Sequence, residues 1–321
     1  MNFSVFKKLD IIFGWVVFLV AAVVYMLTLE PTLSFWDCGE FISSSYRLEV
    51  GHPPGAPLFM ILARFFSLFA SGPDQVAYMV NTVSAMASAL TIAFLYWTIA
   101  YFARRMIIKD NEYTWGKTIA VIAASAIGAL AYTFSDTFWF SAVEGEVYAT
   151  SSLFTAMVFW AILKWNNNAG SNSSFRWVIL IALLVGLSIG VHLLNLLAIP
   201  AMVFVYYFSK YKIKFTGILA ATGISLFVIA AIMWGIIPGV AKVASGFEIV
   251  FINYLGMPFN SGVIIWAILT LVTLFGSIYF TQFKFNQILA FISATLALIL
   301  IGVPFMADNI LLIILLIGGL G

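Results

Sequence analysis

Two carboxylates three residues apart, Asp37 and Glu40, sit in a loop that also carries His52. A carboxylate held beside a hydroxyl can take its proton as the oxygen attacks, which is general-base chemistry. If a helix begins near Trp36, residues i and i+3 share one face, and Asp37 and Glu40 can hold a single substrate between them. The alternative is structural. Ser34 or Asp37 could cap that helix, and an acid near its start would favour the helix dipole by a few tenths to ~1 kcal/mol. The segment His52-Pro53-Pro54-Gly55 is conformationally restricted. A residue before proline is pushed to an extended conformation, the Pro-Pro pair holds the polyproline form, and glycine then allows a turn. This either fixes His52 as a working group or makes it a bystander in a rigid connector.

A second acidic motif, Glu144-Gly145-Glu146, is followed closely by Tyr148 and flanked by Phe138, Trp139 and Phe140. Acids at i and i+2 around a glycine could clasp a divalent cation or a hydroxyl-bearing substrate, or could form a solvated loop apex. Such a cation is the only cofactor the sequence suggests. His192 and Asn195 interrupt a long apolar block, and polar groups at membrane depth are costly and tend to be functional. A satisfied helix-breaking pair is the other reading. Trp97, Trp139, Trp160, Trp165 and Trp177 fall near expected helix ends, as an interfacial aromatic belt does, and take no site role. Glycine-rich phosphate loops, His-Glu-x-x-His patterns and Gly-x-Ser-x-Gly elbows are absent from the sequence.

The elements that position these residues follow from composition. The chain of 321 residues is 63% hydrophobic and 9% charged, with mean hydropathy +1.08, far from the range of soluble domains. Charge-free runs long enough to cross a ~30 Å hydrocarbon layer recur throughout, which predicts an all-α, polytopic membrane protein with about ten transmembrane helices. The expected spans are 11–29, 76–103, 118–136, 147–163, 177–192, 195–209, 215–237, 262–281, 287–306 and one starting near 309. The 33-residue apolar block 177–209 is divided at His192 and Asn195 into two short, tilted or broken helices. Residues 57–70 are too short to span and contain Arg64; with proline at the first turn they read as an amphipathic in-plane helix. The single cysteine, Cys38, excludes an internal disulfide and a cysteine-based metal site. The first apolar run reads as an uncleaved anchor. Because the last residues lie inside an apolar run, the chain is expected to be the membrane part, residues 1–321, of a longer protein.

Orientation follows the positive-inside rule. With the N-terminus inside, Lys7, Lys8, Arg104, Arg105, Lys109, Lys117, Lys164, Arg176, Lys210, Lys212, Lys214 and Lys284 face the cytoplasm, against Arg47, Arg64 and Lys242 outside. Ten acids fall outside: Glu30, Asp37, Glu40, Glu49, Asp74, Asp136, Glu144, Glu146, Glu248 and Asp308. Acids contribute little to topology, so their concentration in loops 30–75 and 137–147 points to an acidic active face on the extracytoplasmic side of the cell's inner (plasma) membrane. Asn172 starts a glycosylation-like triplet but falls in an inner loop. The net charge of +2 says nothing about nucleic acid, but the sequence has no basic patch interleaved with aromatics, and nucleic acid is not expected as a partner.

Trp36-Asp37-Cys38-Gly39-Glu40, Gly51-His52-Pro53-Pro54-Gly55 and Glu144-Gly145-Glu146-Val147-Tyr148 resemble the motifs of bacterial family 117 transferases. These are GT-C membrane glycosyltransferases related to the eukaryotic protein O-mannosyltransferases, and the resemblance covers roughly residues 1–210. It implies a GT-C-like fold. The implied activity is inverting transfer of a mannose-like hexose from a polyprenyl-phosphate donor to a Ser or Thr hydroxyl of an exported protein, beside membrane lipids. It also implies that Asp37 is the base, with Glu40 beside it binding the acceptor or a cation. The eukaryotic enzymes place an adjacent Asp-Glu pair before His-Pro-Pro, whereas Cys38-Gly39 separates the acids here. Oligosaccharyltransferases carry Asp-x-Asp as metal ligands where this chain has Glu144 and Glu146. Inversion needs one base and a leaving group. The leaving phosphate needs cationic or hydrogen-bonding partners, for which Arg47, Arg64 and His192 are the outer candidates besides Lys242.

A transporter or flippase of a lipid-linked sugar is the competing reading, and a non-catalytic membrane scaffold a third. Transporters place ionisable groups near the midplane and show repeated halves. Apart from Asp136 at the outer end of span 118–136, the expected spans hold no Asp, Glu, Lys or Arg, and no internal repeat is evident.

Overall fold

The computed structural model describes residues 1–53, 55–168, 174–283 and 286–305, without the side chains of Phe175 and Phe305. Pro54, Asn172, Lys284, Asp308 and the expected span from 309 lie outside the described residues. Every described element is helical. The chain divides into two units, Met1–Ile213 and Lys214–Gly321.

In the first unit α1 runs Phe3–Leu27, α2 Cys38–Arg47, α3 Pro57–Ser67, α4 Val76–Ile107 and α5 Trp115–Thr133. They are followed by α6 (Asp136–Ala142), α7 (Val147–Asn167), α8 (Ser174–Ile189) and α9 (Ala198–Lys210). α4 is the centre. It buries Ala85, Ser88 and Ala89 among its small residues, so α1, α5 and α7 can approach its backbone closely. Large apolar side chains point the other way: Ile12, Trp15, Leu19 and Val23 along α1 are exposed, a stripe only lipid can cover. α8 ends at Ile189, and a 3₁₀ turn over Leu193–Leu197 precedes α9, so the apolar block breaks where His192 and Asn195 predicted.

α3 spans 11 residues, about 16 Å at 1.5 Å per residue, which cannot cross a bilayer. Pro57 opens it, where a missing N–H costs no helical bond, and Phe59, Met60 and Ala63 are buried while Ile61 and Phe65 are exposed. Its first turn is tied to the α8–α9 break by the Leu58 N–H, which donates to the Gly190 carbonyl at 2.8 Å.

In the second unit α10 (Phe215–Ala230) and α11 (Ile237–Ile249) join through a widened turn at Ala231–Ile236, and helical backbone continues to Tyr254. This corrects the expected 238–261 loop. Pro238 follows directly on the widened turn, in the first turn of α11, and helical backbone continues through it. The true connection is short and leads into α12 (Ser261–Gln282) and α13 (Gln287–Leu300). Glu248 accepts the N–H groups of Asn260 and Val263 at 2.5 and 3.0 Å, so this acid serves the start of α12. Among the described residues seven helices are long and apolar enough to cross a membrane, and α3, α8 and α13 are shorter apolar helices. The described spans also begin or end further out than expected: α1 includes Lys7, Lys8 and Asp10, α4 includes Arg104 and Arg105, and α7 includes Lys164.

Candidate active site

The first loop turns sharply before α2. Trp36 adopts φ +60°, a conformation that costs an L-residue about 1–2 kcal/mol and is retained at constrained sites. The helix starts at Cys38, two residues later than expected, so Asp37 occupies the N-cap position. Its side chain makes no capping hydrogen bond. Ser34 does not cap either; its hydroxyl donates to Glu144 Oε2 at 2.9 Å. The capping explanation therefore fails for both residues, and the Asp37 carboxylate is left half-exposed at the pocket.

Glu40 lies one turn into α2 and is fully engaged by the proline loop. The His52 N–H donates to its Oε1 at 2.6 Å, and His52 Nδ1 lies 3.0 Å from its Oε2. The other face of the same imidazole approaches Asp37, with Nε2 4.0 Å from Oδ2. His52 thus sits between the two acids, and its ring packs on Phe41 with centroids 5.9 Å apart. The hydrogen bonds from His52 hold the Glu40 carboxyl below the usual range, and Glu40 in turn raises the His52 imidazole above its ordinary value. Ligand atoms of Asp37, Glu40 and His52 lie within 4.8 Å of one another, so these three, rather than Glu144 with Glu146, form the converging set that could hold a cation.

The second acidic motif lies behind the first. Glu144 and Glu146 are both buried, and the fully buried Cys38 places Sγ 3.7 Å from Glu144 Oε2 and 3.9 Å from Glu146 Oε1. Burial raises the Glu146 carboxyl to about 7, helped by the charges of Asp37 and Glu144 and opposed by the N–H groups of Val147 and Asp37. Burial raises Glu144 as well, against the hydrogen bonds from Ser34 and Cys38. The solvated-apex reading of this motif does not hold. Gly145 is required there, since a Cβ would lie 2.7 Å from Asn81 Oδ1.

A small pocket is lined by Asp37, His52, Glu146, Tyr148 and His192, with Phe41 and Val191 as apolar wall. The Tyr148 and His192 rings are 5.4 Å apart. His192 Nδ1 accepts the Leu194 N–H at 3.1 Å, which leaves the ring proton on Nε2, and burial lowers its pKa so that the neutral ring prevails. Asn195 lies outside the pocket: its Oδ1 accepts from Ser151 and Thr155 at 3.1 and 2.6 Å, binding the break after α8 to α7. Arg47 pairs with Glu49 at 3.7 Å on the surface, and Arg64 lies over the Tyr46 ring at 5.2 Å. Neither arginine lines the pocket.

Sequence reasoning passed over Asn81. Buried within α4, it donates from Nδ2 to the carbonyls of Glu30 and Thr32 at 2.7 and 2.9 Å, and so anchors the first loop to the central helix. The signal was present as a carboxamide in an otherwise apolar span. Ser84, one turn on, donates to the Glu146 carbonyl at 3.3 Å.

Fold and site together define a polytopic helical membrane protein with an acid–histidine pocket built from two loops and the α8–α9 break. Residues 37–215, more than half the chain, match the family described as the N-terminal domain of protein O-mannosyl-transferase TMEM260, and the chain belongs to that family. It is 29% identical over 157 residues to protein O-mannosyl-transferase tmem260 of Dictyostelium discoideum, covering 49% of this chain and 17% of that protein. Against protein O-mannosyl-transferase TMEM260 of Mus musculus it is 31% identical over 143 residues, 44% of this chain and 18% of the relative. The match thus spans under a fifth of either curated relative. No solved structure matches the chain.

Proposed function

We propose that this chain carries the GT-C-type catalytic membrane part of a protein O-mannosyltransferase, which moves mannose from a polyprenyl-phosphate donor to a Ser or Thr hydroxyl outside the membrane, with inversion. One observation carries the reading. Asp37 is a carboxylate with no capping role, at the mouth of a pocket and facing an imidazole that a second acid holds in place.

The chemistry assigns one task to each group. Asp37 accepts the acceptor's hydroxyl proton as its oxygen attacks the anomeric carbon and the bond to phosphate breaks. Glu40 has both oxygens occupied by His52 and acts as a positioning residue, not as the base. A protonated His52 presents Nε2–H towards Asp37, 4.0 Å from Oδ2. His192 Nε2–H and the Tyr148 hydroxyl are the donors available to the leaving phosphate, a role that passes to them because Arg47 and Arg64 are engaged elsewhere. The buried Glu144 and Glu146 shape the floor and hold the first loop through Ser34 and Cys38.

The family relationship supports this reading over a flippase, since the relatives bear a transferase name. Incubating detergent-solubilised protein with polyprenyl-phosphate mannose and an acceptor peptide tests it. A mannosylated peptide is expected; donor movement across vesicles without any glycosylated product would favour the flippase.

A further inference from the structure

At the other end of α1, α4 and α7, about 24 residues of α4 (~36 Å) from the acidic pocket, lies a cavity of about 470 Å³. Its size is that of a small-molecule site. Each of the three helices contributes one cation to its wall: Lys7, Arg104 and Lys164. Arg104 and Lys164 are half-buried, and no carboxylate oxygen of the described residues lies within 4 Å of any of the three. Asp10 is the acid in this wall, and its Oδ1 is buried without a hydrogen-bond partner among the described residues. The remaining wall is aromatic: Arg104 lies 5.7 Å over the Phe3 ring and Lys164 5.0 Å over Trp160, with Trp97 beside them.

We propose that this cavity binds a phosphate group, supplied by the headgroup of an anionic phospholipid in the leaflet at the basic end. Among the described residues Asp10 is the acid whose charge reaches Arg104 and Lys164, so three cations meet one carboxylate in this wall, and the excess positive charge favours an anion. Cations arriving from three helices can surround the two free oxygens of a phosphodiester from different sides. The cavity lies at the basic ends of apolar helices, where headgroups are met, and the Phe3, Trp97 and Trp160 rings suit the glycerol and upper acyl region. The site does not depend on the acidic pocket or on the reaction proposed for it.

The test uses the full chain in detergent, with dioctanoyl phosphatidylglycerol and inorganic phosphate as separate probes and binding read by native mass spectrometry and by Trp fluorescence. Saturable lipid binding is expected. Lys7→Gln, Arg104→Gln and Lys164→Gln should each weaken it roughly tenfold, the scale of one charge-assisted hydrogen bond. Lys109→Gln and Lys212→Gln, cations of the same end outside the cavity, should leave it unchanged. Lys7 is exposed near the start of α1, so its variant keeps the test open should the half-buried positions not tolerate change. Inorganic phosphate that displaces the lipid, and is itself lost in the same variants, would retain the site and assign its occupant to solution. Equal losses in the Lys109 and Lys212 variants, or no saturable binding of either probe by the unaltered chain, would overturn the proposal.

Discussion

His52 is bound twice by one carboxylate: its backbone N–H and its Nδ1 meet the two oxygens of Glu40 at 2.6 and 3.0 Å. A side chain so held can present only Nε2 to its surroundings, and Nε2 faces Asp37. Glu40 is therefore spent on geometry, which divides the roles of two acids that the sequence placed on equal terms.

Glu40→Gln keeps the size of the side chain but offers one oxygen where two are needed. Turnover should fall by roughly 10- to 100-fold, and the pH dependence assigned to His52 should move towards lower pH, because the partner that raises its pKa loses its charge. Mannosyl transfer measured across pH checks both effects. An unchanged profile would remove His52 from the mechanism.

Glu146 gives a stability prediction. Its folded pKa, about 7, lies above its ordinary value of 4.5 because it is buried beside Asp37 and Glu144. An acid raised in the folded state stabilises most below its unfolded pKa, and that contribution is lost as pH rises through the folded value. Thermal stability should fall between about pH 4.5 and 7, by on the order of 2–3 kcal/mol, and Glu146→Gln should flatten this slope. A slope unaltered in the variant would assign the titration to another group.

Cys38 should be inert. It is fully buried, and burial, reinforced by the charges of Glu144 and Glu146, raises its thiol to about 12. Maleimide should modify it only after denaturation; rapid labelling of the folded protein would mean that the two loops are not packed together as described.

Asn81→Leu should cost about 1–3 kcal/mol by leaving the Glu30 and Thr32 carbonyls without their donor, although Asn81 does not line the pocket. Activity should fall with the loss of loop order, as read by proteolysis within residues 30–56. Wild-type protection of that loop in the variant would contradict the anchoring role.

Much of this arrangement was legible in the chain. The break at His192, the short helix opened by Pro57 and the two acidic motifs all follow from local pattern, because each depends on residues adjacent in sequence. What escaped depended on distant partners. That Asp37 is uncapped while Ser34 serves Glu144, 110 residues on, is a tertiary fact. The same holds for Asn81, whose polarity in an apolar span makes sense only beside the first loop. The helical path through Pro238 was missed for another reason: a proline in the first turn of a new helical segment is indistinguishable, by type alone, from one that ends a helix.

Asp37→Asn is the most direct measurement, because the change is nearly isosteric, lies at an exposed carboxylate and removes only the ability to take a proton. With the solubilised chain, polyprenyl-phosphate mannose and an acceptor peptide, transfer should drop by about 10²–10⁴-fold, or ~3–5 kcal/mol of barrier, while expression and donor binding are retained. Near-normal turnover in Asp37→Asn, with Glu144→Gln or Glu146→Gln inactive, would place the base in the second loop and contradict the account.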